Sequence, residues 1–207
     1  YTQSKRLIAV ILTAASMISM SLTRVYAVNP PSSTTKPEAR PEYLVGVYYF
    51  AGWWRELPNK YTPGGKDWRL EFPGRKATLG EYNDQETMDR EIAAAADHGV
   101  HFFQFLWYPV GEKSPEAHAE KLNVAPPLFL NSPNRGRMYF TVEYVNHAPF
   151  QLRSDAEWLT ACRLWCTWMK HPRYLRVGGR PVFKVHGLQA FVQQNDGKPA
   201  QAAERIR

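Results

Sequence analysis

Cysteine is scarce in this sequence: Cys162 and Cys166 are the two among 207 residues. They stand four apart in an apolar helical pattern, and successive turns of one helix set their Cβ vectors side by side, a poor geometry for a disulfide. A disulfide scaffold is therefore set aside, and both are expected to be buried thiols. Cys162, Cys166 and His171 lack a second ligand cluster, so neither a metal nor another cofactor is expected. Also missing are a G-x-G-x-x-G after the first strand-like run, a G-x-x-x-x-G-K-[ST] loop, a G-x-S-x-G elbow and an H-E-x-x-H pair. These absences argue against dinucleotide binding, P-loop phosphate chemistry, elbow-type serine hydrolysis and zinc proteolysis. No Cys stands beside a plausible His base at a strand end, which removes thiol hydrolysis as well.

Acidic residues are absent before position 28, whereas Lys5, Arg6 and Arg24 lie there. The formal charge of +7 thus falls to +4 for the remainder. That surplus is scattered and forms no run or helical stripe, so nucleic acid is not expected as a partner. Long apolar runs are also missing. The longest, Leu7–Leu22, has 16 residues interrupted by Thr13, Ser16, Ser19 and Ser21, short of the roughly 20 that cross a bilayer.

Residues 1–27 combine a basic start, that apolar stretch and a small-residue exit at Val25-Tyr26-Ala27, the pattern of a secretory signal peptide cleaved after Ala27. The alternative is a retained anchor. Beyond the signal peptide no membrane contact is expected, and the chain should be secreted or periplasmic. Residues 28–42, rich in Pro, Ser and Thr, read as a flexible linker. The chain opens on Tyr1 and stops inside a helical pattern, so it is expected to be a piece of a longer one.

From Tyr43 onward the composition is that of a folded domain, 44% hydrophobic overall with 7 Trp and 11 Tyr. Four apolar runs of strand length occur: LVGVYYF (44–50), HFFQFLWYP (101–109), RMYFTVEYV (137–145) and PVFKVHG (181–187). Such near-continuous runs are expected of parallel strands covered on both faces, neighbours in one sheet. Helical patterns separate them. Asn83 and Glu86 suggest a capping box opening a helix over about 84–98, stopped by Gly99. Ser154 and Glu157 suggest another, with a stripe at Trp158, Cys162, Trp165, Cys166 and Met169 before Pro172. A short helix is expected near 115–123, an apolar patch at 126–130, a turn at 178–180 and a last helix near 199–207. The alternation predicts an α/β layer fold. With about 40–55 residues per unit, residues 43–207 are expected to supply the first four βα units of a (β/α)8 TIM barrel, whose eight units need about 250 residues. An open doubly wound sheet is the alternative.

In either fold, function gathers at the carboxyl ends of the strands. The residues there are Tyr48, Tyr49, Trp53 and Trp54; Trp107 and Tyr108; Glu143, Tyr144, Asn146 and His147; Lys184 and His186. Aromatic rings match the C–H faces of pyranoses while Asn, His and Glu bond hydroxyls, so the set suits a saccharide groove. One of Tyr48 and Tyr49 should fill the core, because neighbours alternate faces. Glu143 is the sharpest signal, since a carboxylate inside an apolar strand is costly unless paired or functional. Asn146 can instead cap the next loop, and Lys184 can pair with a carboxylate. The acids Glu81, Asp84, Glu86, Asp89 and Glu91 read as a helix N-terminus and exposed face, and His98 and His101 as structural.

Four ordered strings, GVYYFAGWW, LGEYNDQETMDREIAAAADHGVHFFQFLWYP, RMYFTVEYVNH and HPRYLRVGGRPVFKVHG, together resemble the glycoside hydrolase family 99-like proteins, including the WbsX-like group, over residues 43–187. The resemblance implies a (β/α)8 barrel acting on glycans, and in family 99 itself retaining endo-cleavage of α-mannosides. It also implies that Glu143 matches a substrate-contacting carboxylate of the third strand, that Asn146 and His147 match the Asn-His of the looser relatives, and that Tyr48, Tyr49, Trp107 and Tyr108 occupy motif positions. The family's acid/base pair comes from later strands, beyond Arg207. The expectation is thus an exported glycan-processing enzyme, a glycoside hydrolase when full length. Its substrate-binding residues are Tyr49, Trp53, Trp54, Trp107, Tyr108, Glu143, Asn146, His147 and His186, and a polysaccharide or oligosaccharide is the partner. The alternatives are a barrel that binds polysaccharide without cleaving it and a WbsX-like glycosyltransferase of polysaccharide assembly.

Overall fold

The structure is a computed structural model that describes residues 43–110 and 119–205. The leader and the linker expected over 1–42 lie outside the described residues, as do 115–118 of the expected short helix and the last two residues. In chain order the elements are β1 (Gly46–Tyr49), α1 (Gln85–Asp97), β2 (Phe102–Trp107), α2 (Ala119–Leu122), α3 (Ala125–Asn131), β3 (Tyr139–Tyr144), α4 (Asp155–Met169), β4 (Arg176–Val177), β5 (Arg180–Pro181), β6 (Phe183–Val185), α5 (Leu188–Gln193) and α6 (Pro199–Glu204). The four expected strands pair in parallel as one sheet, ordered β1-β2-β3-β6. Gly178 and Gly179 form the two-residue turn of a small antiparallel hairpin, β4-β5, both with positive φ (56° and 76°), a conformation that side chains with a Cβ resist; the expected turn at 178–180 is thus shorter by Arg180, which pairs in β5. This is a mixed α/β fold built on a parallel sheet.

One face of the sheet is apolar and packs on helices. Tyr49, Phe103, Phe105, Trp107, Phe140, Val142, Tyr144, Phe183 and Val185 alternate onto it and join one core cluster with residues of α1, α3 and α4. Here α4 contributes Trp158, Ala161, Trp165 and Trp168, at i, i+3, i+7 and i+10. Two expectations are corrected. Cys166 falls off that stripe and is exposed, and Cys162 is only half-buried; both are free thiols. Nor is β1 covered on both faces, since Val45, Val47 and Tyr48 are exposed on this outer strand.

The helix starts follow from local hydrogen bonding. The Ser154–Glu157 capping box opens α4 with both reciprocal bonds made. The cap of α1 is Asp84, one residue later than the pattern suggested, and its carboxylate accepts from the Thr87 amide at 2.9 Å. Asn83 is occupied elsewhere: its Oδ1 accepts from the Trp53 amide at 2.7 Å, while the Trp53 carbonyl accepts from the Asn83 amide at 2.6 Å. These two bonds close the base of the long β1–α1 connection. His101 accepts from the Val45 amide at 3.0 Å, and a bond of 2.7 Å joins the His98 ring to the Ala94 carbonyl, so both serve the fold.

Candidate functional site

The second face of the sheet carries the chemistry. Period-2 alternation places Tyr48, Gln104, Glu143 and Lys184 on it, one from each of the four parallel strands. His186 follows one residue beyond β6. Glu143 is the hub and is fully buried. Its Oε1 lies 2.6 Å from Nδ1 of His186, and the Lys184 ammonium is 3.2 Å from both carboxylate oxygens. Gln104 donates its amide N–H to Oε2. Lys184 also donates to the Tyr48 hydroxyl and sits 4.6 Å from that ring's centroid. The two side chains thereby meet above β2 and β3, across a span of about 14 Å between the outer strands.

The electrostatics of the hub follow directly. Burial pushes the Glu143 carboxyl up, but hydrogen bonds and charge from His186, Lys184 and Gln104 outweigh it and hold the group below the ordinary carboxylate range. Glu143 is therefore an anion across the neutral range. A carboxylate only accepts, so the His186 proton toward it resides on Nδ1. Its Nε2 has no partner among the described residues, and the ring is 46% exposed. His147 stands beside it, 5.7 Å between ring centroids, with its Nδ1 2.8 Å from the Ala148 carbonyl. The carbonyl too can only accept, so here again the δ nitrogen carries the proton.

The other expected residues fall elsewhere. Tyr49 and Trp107 alternate onto the helix-packed face and do not meet Glu143. Trp107 packs against Trp165 at 4.9 Å and Tyr144 at 6.1 Å. The Tyr49 hydroxyl donates to Glu91 at 2.5 Å and accepts from Asn83 at 3.2 Å, and burial with the Glu91 charge raises its pKa. Trp54 and Tyr108 are buried with Leu122, Val145 and Phe150 in a second apolar cluster. Asn146 is fully buried, and its side chain bonds both the carbonyl and the amide of Gly187, at 2.8 and 2.7 Å, which fixes the end of β6 beside the end of β3. Of the nine expected residues, the sheet face brings together Glu143 and His186, with His147 alongside.

Three members of the array were not among the nine. Tyr48 was the other half of the Tyr48/Tyr49 alternation, and Lys184 was read as a carboxylate partner, which it is. Gln104 left a legible signal: it is the lone polar residue in FFQFLW, and an amide placed inside an apolar strand calls for a partner for the same reason that Glu143 does.

Trp53 belongs to a different place. A concavity of about 700 Å³ lies between the β1–α1 connection and the first turns of α1, lined by Trp53, Tyr61, Trp68, Tyr82 and Glu91 among others, and by none of the sheet-face array. Glu91 was expected on an exposed helix face; instead it is half-buried against Tyr49, and burial, with the Asp84 charge, raises its pKa. Among the described residues no group of three or more His, Cys, Asp or Glu side chains is arranged to hold a metal ion, and no helix is long and apolar enough to cross a membrane. No protein-family model, curated protein or solved structure matches the chain.

Proposed function

We propose that this chain forms the saccharide-contacting part of an exported glycan-processing enzyme of the glycoside hydrolase type, with the parallel sheet as the first part of a (β/α)8 barrel. The observation that carries this reading is the convergence of Tyr48, Gln104, Glu143, Lys184 and His186 on one face of adjacent parallel strands, with Glu143 and His186 at the carboxyl ends, where α/β enzymes place their ligands. The contact between Tyr48 and Lys184 over the middle strands supports a concave, barrel-like face. Within the array the exposed groups are the Tyr48 ring and the His186 imidazole, suited to stacking on a pyranose and to bonding its hydroxyls. Glu143 has a positioning role. Buried and ionised, it holds His186 with Nδ1 protonated and keeps Lys184 in place. Proton transfer at a glycosidic bond, which needs two acidic groups about 5–10 Å apart, falls to groups other than Glu143. An α-mannan-type polysaccharide is the substrate class suggested by the strings of residues 43–187, and the leader pattern over 1–27 supports export.

Titration of the chain with α-manno-oligosaccharides, read by NMR of the imidazole and tyrosine side chains, tests the reading. We expect His186 and Tyr48 to shift while the Trp107 indole does not. Unperturbed His186 and Tyr48 at saturating sugar would reject it.

One observation favours a second reading, a surface that binds polysaccharide without cleaving it: the array holds a single carboxylate, and its oxygens are occupied by Gln104, Lys184 and His186. Release of reducing ends from α-mannan separates the two, since a binding surface shifts the same resonances and releases none.

A further inference from the structure

The concavity over α1 is a built site rather than a surface dimple. Its wall is an aromatic cluster centred on Tyr61, whose ring lies 5.0 Å from Trp53, 5.5 Å from Trp68 and 5.8 Å from Tyr82. Hydrogen bonds fix that wall. The Tyr61 hydroxyl donates to the Glu81 carbonyl, and the Trp68 indole donates to the Lys60 carbonyl at 3.1 Å. Arg69 bonds Asp67 at 2.6 Å, Glu81 at 3.1 Å and the Tyr82 hydroxyl at 3.1 Å while lying over the Tyr61 ring. Gly80 lets the connection close onto the helix, because a Cβ there would meet the Thr87 hydroxyl at 2.0 Å.

Charge decides what such a wall would hold. Arg69 is neutralised twice, by Asp67 and by Glu81. Arg75 and Lys76 also line the concavity, are exposed, and take part in no ion pair among the described residues. Deeper in, one Glu91 oxygen accepts from Tyr49, and the carboxyl lines the cavity with its second oxygen unclaimed among the described residues. The lining thus offers ring faces on one side, a hydrogen-bonding carboxyl at the floor and two uncompensated cations at the rim. A ligand matching all three has a flat C–H face, hydroxyls and an anionic substituent.

We propose that this concavity binds an acidic sugar, a pyranose carrying a carboxylate, stacked on the Trp53–Trp68 wall with its carboxylate toward Arg75 and Lys76. The proposal rests on the saccharide reading above and adds hexuronate units to the glycan that the chain would meet.

Calorimetric titration of the chain with a hexuronate pentamer and with neutral mannopentaose, at low and at physiological salt, tests it. The hexuronate should bind, more weakly as salt screens the rim, and the neutral sugar should bind the concavity far less. Replacing both Arg75→Ala and Lys76→Ala should lower hexuronate affinity by on the order of tenfold or more, the scale of one charge-assisted hydrogen bond. The melting temperature should stay unchanged, as befits two exposed side chains without ion pairs. Trp68→Ala should remove binding at both salt levels. Equal Trp68-dependent binding of the two pentamers, hexuronate binding indifferent to the double substitution, or no hexuronate binding would each overturn the proposal. The His186 and Tyr48 resonances, followed with the mannan oligosaccharide, report on the sheet-face reading separately. Shifts there with an inert concavity reject the acidic-sugar site alone, whereas hexuronate binding at the concavity with silent sheet-face resonances rejects the sheet-face reading alone.

Discussion

The imidazole Nδ1 of His186 lies 2.6 Å from Oε1 of Glu143, and this pair links the ends of two adjacent parallel strands. A buried anion next to a half-exposed imidazole fixes which ring nitrogen carries the proton and which is left for solvent or ligand. The same carboxylate serves Lys184 of β6 and Gln104 of β2, so three adjacent strands are tied to one side chain.

Glu143→Gln should therefore be strongly destabilising. It leaves Lys184, itself nearly enclosed, without its counter-charge, and removing one member of a buried ion pair costs about 3–5 kcal/mol. Removing both charges is far milder, so Glu143→Gln combined with Lys184→Met should recover most of the loss. Urea unfolding of the single and double variants measures this, and equal midpoint losses would show that the two residues are not energetically paired.

Stability should also fall on the acid side through the same group. The folded-state pKa of Glu143 is depressed, so its contribution is complete above the unfolded value of about 4.3 and is lost as pH falls through the lower folded value. A pH series of unfolding midpoints should show this acid limb in the parent and a flatter one in the Glu143→Gln, Lys184→Met pair. Superimposable limbs would contradict it.

Glu91 should behave oppositely. Its folded-state pKa is raised, so what it contributes is complete below the unfolded value and is lost as pH rises through the folded one. Glu91→Gln keeps an acceptor for the Tyr49 hydroxyl and removes the ionisation. It should raise the melting temperature at neutral pH, by a few degrees at most given roughly 2–4 °C per kcal/mol for a domain of this size. Near pH 4 the gain should vanish. A gain that is the same at both pH values would show that ionisation is not its cause.

Trp165 offers a test of the core. Its indole N–H is buried without a hydrogen-bond partner among the described residues, although the ring packs on Trp107 and Phe183 at 4.9 and 4.8 Å. Trp165→Ala should cost about 3–5 kcal/mol. Trp165→Phe removes an unsatisfied donor worth about 1–3 kcal/mol and keeps most of the contact, so its net effect should stay within about 1 kcal/mol. Chemical denaturation of both variants checks the contrast.

The sheet was legible because all four strands announce themselves as apolar runs, and their pairing follows from chain order. Helix α4 was legible through its capping box. The start of α1 was misplaced by one residue because Asn83 and Asp84 are both good caps, and only the bonds from Asn83 to Trp53 and Tyr49 decide between them. Site reading failed where face mattered: Tyr49 and Trp107 stand at strand ends like Glu143, but one step of pleat turns them toward the helices. Anchoring the alternation on Glu143 in β3 and on Gln104 in β2 would have selected Tyr48 over Tyr49. The concavity was not legible at all, since its aromatic wall is assembled by ring packing and carbonyl bonds within the β1–α1 connection that carry no periodic signature.

Strand β1 borders the sheet with Val45, Val47 and Tyr48 open to water. Its outward amides and carbonyls are a ready template for any extended segment that drifts alongside, and little charge stands there to repel it. In solution the chain should be drawn toward self-association at that border as its concentration rises, unless another strand comes to lie there first.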